Sequence, residues 1–144
     1  MVLNSEGLIT SNVPPYITIN KTGSGLLVGD IFTVLVIKEP NPKLDVQGVD
    51  EDGDIIALTA DALAYDPILF TYSPCTSGQP LCHVKSFTQI SQVSGLTLSR
   101  LTINSAAVNT GDQVKFTAND GVGNITERTL TLDACYAFPP FSFC

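Results

Sequence analysis

Apolar and polar residues alternate along most of this chain with the period of two that marks a half-buried strand, and helical periodicity is scarce. The clearest run is Gln113–Ala118, where Val114, Phe116 and Ala118 alternate with Gln113, Lys115 and Thr117. Thr126–Asp133 alternates again after an Asp-Gly turn. Strands are also expected at Tyr16–Asn20, Ile55–Thr59, Ile68–Tyr72, Val84–Gln89 and Leu96–Ile103, separated by turns rich in Gly, Pro, Asn and Asp. Leu26–Lys38 reads as a strand pair or one bent strand, with Gly29-Asp30 as its turn or bulge. Glu39-Pro40-Asn41-Pro42 must break it, since proline lacks the ladder donor and restrains its predecessor. Asp61–Tyr65 is expected to form a single helical turn. About seven or more short strands predict an all-β sandwich of two antiparallel sheets.

Two segments carry more than periodicity. Val49-Asp50-Glu51-Asp52-Gly53-Asp54-Ile55-Ile56-Ala57-Leu58 sets an acidic, Gly-containing turn before an apolar run. Gln113–Asn124 leads an alternating strand into the turn Asn119-Asp120-Gly121. Together they resemble the cadherin-like and Ig-type domains of bacterial and archaeal surface proteins, over residues 14–134. Together with the strand count, the resemblance implies an Ig-like antiparallel β-sandwich, extracellular and used for adhesion, spacing or assembly. It also implies calcium near the domain ends, with Asp50, Asp52, Asp54 and Asp120 as the ligands. The chain departs from antibody domains in having no tryptophan and a different cysteine spacing.

Composition adds to this picture. Eight of the fourteen acidic residues fall between Glu39 and Asp66, and carboxylates so crowded repel one another. Calcium accepts six to eight oxygen ligands in flexible geometry and would relieve that repulsion. The alternative is a solvated turn whose carboxylates cap backbone amides. The turn is not an EF-hand loop, because Gly53 is the fourth residue from Asp50 and not the sixth. With 44% hydrophobic and only 15% charged residues the chain is globular, and its surface must be built largely of uncharged polar groups, as suits a secreted or assembled protein. A net charge of −7 with scattered cations argues against nucleic acid as a partner.

Nowhere do eighteen apolar residues run together, so no membrane span is expected. Met1–Asn12 has neither a basic region nor a continuous apolar run. The expectation is therefore a processed mature form, or exit by another route, for example inside a virion.

Four cysteines permit three connectivities. The favoured pairs are Cys75–Cys82 and Cys135–Cys144, each closing a short loop, and disulfides point to an oxidising compartment. Neither pair has the spacing of a zinc site. His83 follows Cys82, but six residues separate the cysteines where a c-type haem motif has two. There is no G-x-S-x-G elbow and only one histidine, so no enzyme is expected. Asn20-Lys21-Thr22 and Asn124-Ile125-Thr126 match the N-glycosylation pattern, and both should then lie in exposed loops.

The domain reading is an N-terminal extension, 1–15, a sandwich, 16–134, and an aromatic tail, 135–144. Four of the eleven aromatic residues sit in the last nine positions, and such rings need burial within the domain or against a neighbour. The expected function is a self-assembling surface or filament subunit, pilus-like, with Met1–Pro15 as a candidate donor strand for a neighbour's sheet edge. Two alternatives stand beside it. One is a virion decoration or capsid-reinforcing protein. The other is a calcium-dependent carbohydrate-binding or adhesion module, with surface glycans as partners and Tyr65, Tyr72 or Tyr136 as the platform.

Overall fold

The computed structural model describes residues 14–22, 26–28, 33–37, 43–138 and 141–143. Its strands are β1 (Tyr16–Thr22), β2 (Leu26–Val28), β3 (Thr33–Ile37), β4 (Lys43–Val49), β5 (Ala57–Asp66), β6 (Thr71–Cys75), β7 (Val84–Val93), β8 (Leu96–Ile103), β9 (Gln113–Asn119), β10 (Ile125–Phe138) and β11 (Phe141–Phe143), with one 3-10 turn at Ser105–Ala107. One sheet runs β1-β4-β8-β7. The other runs β2-β3-β10-β9-β5-β6, with β11 paired to β10. Without β2, β3 and β11, the order β1-β4-β8-β7 faces β10-β9-β5-β6. That is the A-B-E-D against G-F-C-C′ arrangement of an Ig-like sandwich. Among the described residues the pairing departs from a purely antiparallel pattern at one place, where β3 lies parallel to β10.

The core follows from the alternation. Leu44 and Val46 of β4, Leu101 and Ile103 of β8, Val114, Phe116 and Ala118 of β9, and Leu130 and Leu132 of β10 are all fully buried between the sheets. Each large aliphatic side chain so buried contributes about 1.5–3 kcal/mol. A one-residue slip in any of these strands would turn that set to solvent, which fixes the register. Gly48 of β4 allows close packing, because a Cβ there would lie 2.8 Å from Ile56 Cγ2. The buried Thr97 hydroxyl is satisfied by donating to the Ile56 carbonyl at 2.7 Å.

Three expectations are corrected. Asp61–Tyr65 is strand and not a helical turn, for β5 pairs with β9 on one side and β6 on the other. The alanines at 60, 62 and 64 favour helix weakly, and sheet pairing on both edges outweighs them. Ile68–Phe70 is not strand but the turn between β5 and β6, held by the Asp66 carboxylate, which accepts from Ile68 N at 2.9 Å and Leu69 N at 3.2 Å. Lys43–Val49, not expected as a strand, is β4 at the centre of its sheet. Its Leu44, Val46 and Gly48 do alternate inward, but two prolines just before it and the glycine within it mask the signal.

Leu26–Lys38 resolves into the strand pair β2 and β3. β10 continues through Phe138, and the tail backbone returns along it as β11, Tyr136 opposite Phe143. Met1–Val13 of the candidate donor segment lie outside the described residues. At Pro15 the chain is tied to its own domain, where Thr126 Oγ1 donates to the Pro15 carbonyl at 2.6 Å. No helix among the described residues is long and apolar enough to cross a membrane.

Candidate functional site

The loops β4–β5, β7–β8 and β9–β10 meet at one end of the sandwich. The first begins with a tight turn in which Gly53 N donates to Asp50 O at 3.1 Å and Asp52 N donates to Asp50 Oδ1 at 2.8 Å. Gly53 supplies the left-handed backbone there, at φ +81°. The β7–β8 turn clamps this loop from outside. Asp50 N donates to Gly95 O at 2.9 Å, Gly95 N donates to Asp54 O at 3.0 Å, and Ser94 Oγ donates to Gly53 O. In the β9–β10 turn, Asp120 Oδ1 accepts from Val122 N at 2.9 Å and Asn124 N at 3.0 Å, while Asp120 Oδ2 accepts from Asn124 Nδ2 at 2.8 Å.

These turns bring together three of the four expected metal ligands. One carboxylate oxygen from each of Asp50, Asp54 and Asp120 lies within 4.8 Å of the others. Asp50 and Asp120 are each only 3% exposed. Asp52 is not in the trio; its half-buried residue contributes the backbone N–H that braces Asp50. Other members of the acidic run have separate work. Asp45 pairs with Arg100 across β4 and β8 at 2.9 Å, and Asp66 caps its turn.

The trio is electrostatically unsettled. Burial pushes the Asp50 carboxyl above its ordinary 3.8; the Asp52 N–H opposes this, and the charges of Asp54, Asp52 and Asp120 push it further up. Burial would raise Asp120 as well, but the N–H groups of Val122 and Asn124 outweigh it and hold that carboxyl below 3.8. Asp50 Oδ2 and Asp54 Oδ2 are buried without any hydrogen-bond partner. Orphaned carboxylate oxygens within a cluster of acids are costly unless a proton or a cation intervenes. The donors are hard oxygens, as calcium requires, so the residues fit the ion.

A pH dependence follows for calcium-free protein. A raised folded pKa means that ionised Asp50 costs the native state, so stability should increase as pH falls from neutral through that pKa towards 3.8. Asp120 acts with the opposite sign in a lower window, its stabilisation being lost as pH falls below 3.8 through its depressed pKa. Melting curves of the chain and of Asp50→Asn across this range separate the two. The variant should be the more stable at neutral pH and should lose the gain on acidification; parallel curves would contradict the assignment.

A second polar group lies at the opposite end of the sandwich. Cys75 and Cys82 form the expected disulfide. His83 and Asp112 are each 1% exposed, with His83 Nδ1 3.6 Å from Asp112 Oδ2. Asp112 accepts from Tyr65 N and from Asn109 N, both at 2.8 Å. Asp112 was not an expected site residue. Its only sequence signal is the Asn-Thr-Gly-Asp turn from Asn109, and nothing in the spacing connects it to His83. The Cys135–Cys144 pairing lies outside the described residues.

Asn20 is in β1 opposite Asp45 and not in a loop, because the strand continues to Thr22. Asn124 follows the β9–β10 turn, half-buried, with its amide engaged by Asp120. Tyr65 and Tyr72 form a cross-strand ring pair with centroids 5.0 Å apart, and the Tyr136 side chain lies outside the described residues. No protein-family model, curated protein or solved structure matches the chain.

Proposed function

We propose that this chain is a non-enzymatic, extracellular building block that joins other copies of itself in a surface structure or filament, stiffened by calcium at its acidic end. The observation that carries this reading is the opposite character of the two ends of the sandwich. One end gathers the buried carboxylates of Asp50, Asp54 and Asp120, which would hold the ion with backbone carbonyls and water completing its shell. A bound calcium ion would cross-link the β4–β5 and β9–β10 loops and supply charge that those acids lack.

The other end has no charged residue from Pro67 to Leu81. There Ile68 is 84% exposed, Leu69 67% and Phe70 77% in the β5–β6 turn, and Leu81 90% in the β6–β7 loop, so these apolar side chains are left uncovered by the described residues. Phe70 is held at φ +57°, an unusual conformation for a bulky residue that tends to persist where function requires it. The sheet edges nearby discourage lateral pairing: β7 is broken by register shifts at Lys85 and Ile90, and β6 contains Pro74. Contact through the ends of the sandwich is therefore favoured over contact through these edges, and head-to-tail contacts build filaments when they do not close.

The non-enzymatic part of the reading draws on His83. The single histidine is sealed in the interior with Nε2 donating to Gln113 O at 2.8 Å, which withholds from any substrate the base that a Ser-His-Asp triad needs. An extracellular setting is supported by the Cys75–Cys82 disulfide.

Negative-stain microscopy in calcium is the test, on the chain and on a Leu69→Ser, Phe70→Asn variant. Asn tolerates the left-handed backbone, and both side chains are exposed, so the stability should change by no more than about 0.5 kcal/mol. Filaments or sheets are expected from the chain and dispersed particles from the variant. Dispersed monomers from both, or assembly by both, would overturn the reading.

A further inference from the structure

The buried group around the Cys75–Cys82 disulfide carries a second site, independent of the acidic end and of the assembly reading. A carbonyl oxygen only accepts, so His83 Nε2, 2.8 Å from Gln113 O, bears a proton and donates it. In the neutral ring this leaves a lone pair on Nδ1. That atom stands 3.8 Å from Cys75 Sγ and 3.6 Å from Asp112 Oδ2. One donor atom from each of Cys75, Cys82 and His83 lies within 4.8 Å of the others, the two sulfurs being bonded to each other, and Asp112 approaches the group beside Nδ1. Around a tetrahedral zinc bound at about 2.3 Å to sulfur and about 2.0 Å to nitrogen, neighbouring donors sit ~3.3–3.8 Å apart. The observed separations from Nδ1 are of that size.

The surroundings match as well. A histidine that ligates through one nitrogen usually gives its other N–H to a carbonyl or carboxylate, which fixes its tautomer, and Gln113 O fills that role here. The Asp112 carboxylate is oriented by the Tyr65 and Asn109 amides. Cys82, His83 and Asp112 are each 1% exposed and Cys75 is half-buried, so three of the four groups are shielded from bulk water.

We propose that reduction of the Cys75–Cys82 disulfide, by freeing the two sulfurs to move apart, converts this group into a zinc site made by the two cysteine sulfurs and His83 Nδ1, with Asp112 Oδ2, 3.6 Å from Nδ1, as the neighbouring oxygen that completes the fourth position. A dithiol reductant supplies two electrons and two protons and leaves as its own disulfide, while Cys75 and Cys82 each gain a hydrogen. Zinc then displaces both thiol protons to solvent. The same loop is thus closed by a sulfur–sulfur bond under oxidising conditions and by a metal under reducing ones.

The test uses the full chain carrying Cys135→Ser and Cys144→Ser, so that only one thiol pair arises. It is reduced with a phosphine, which becomes the phosphine oxide as water provides the oxygen and the thiol protons. Excess calcium is present to occupy the acidic end. Anaerobic titration with cobalt(II) should give one metal per chain, a thiolate-to-cobalt charge-transfer band and the strong visible bands of tetrahedral cobalt, all removed by one equivalent of zinc. The oxidised protein should give neither band.

His83→Ala and Asp112→Asn should each weaken binding about tenfold or more. Should reduction unfold the chain, zinc is expected to restore the far-ultraviolet circular dichroism of the folded form, and not to do so after Cys75→Ser with Cys82→Ser. Absence of a charge-transfer band in folded reduced protein, the same band in that double variant, or failure of zinc to restore an unfolded reduced chain would overturn the proposal.

Discussion

Removing calcium is expected to lower the melting temperature of this chain by about 8 °C. A ligand that binds only the native state at a hundred times its dissociation constant stabilises by about 2.7 kcal/mol, and a domain of this size shifts by about 3 °C per kcal/mol. Asp54→Asn should remove the response. Its Oδ2 has no hydrogen-bond partner, whereas Asp50 and Asp120 also brace their turns, so Asp54 is the member that can be changed with least damage. In calcium-free buffer the variant should melt no lower than the parent, because it removes one of three repelling charges. Loss of the calcium response without loss of basal stability would identify a metal ligand. A drop in both buffers alike would mark Asp54 as a structural residue instead.

Phe116→Ala should cost about 3–5 kcal/mol, the range for truncating a buried phenylalanine. Phe116 lies in the middle of β9, fully buried, with its ring 5.8 Å from that of Phe87 on β7 in the facing sheet. No side chain from a single sheet can fill the gap it would leave, since the two sheets are separately held by their own ladders. Urea denaturation measures the loss; the midpoint should fall with little change in slope. A cost near 1 kcal/mol would mean that the sheets close over the cavity, and that Phe116 is not the centre of the core.

How far the sequence alone leads can be judged from particular elements. β9 was legible because its apolar positions alternate inward without interruption, from Val114 to Ala118, and β8 was legible as strand from Leu96, Leu98, Leu101 and Ile103, although the positions buried at its start are the polar Thr97 and Ser99. β4 was not, because its inward positions include a glycine whose role is to admit Ile56, and a missing side chain gives no hydrophobic signal. The Ala-rich end of β5 was misread because local propensity spans less than the pairing energy offered by two neighbouring strands. Pro67 and the Asp66 cap turned an apolar run into a turn, so apolarity there marked exposure and not burial.

Within the acidic end, Asp50, Asp54 and Asp120 were legible from composition and resemblance, but the separation of Asp52 from them was not. It depends on Gly53 reversing the chain so that Asp52 contributes its amide. The His83–Asp112 pair was illegible, since a contact between the starts of β7 and β9 is set by sheet packing and leaves no trace in spacing.

The most direct measurement is calorimetric titration of calcium into the chelator-treated chain, beside Asp54→Asn and Asp120→Asn. One calcium ion per chain is expected for the parent, with binding abolished in Asp54→Asn and weakened in Asp120→Asn. No binding to the parent, or undiminished binding to both variants, would contradict the assignment of the acidic end as the calcium site of a surface building block.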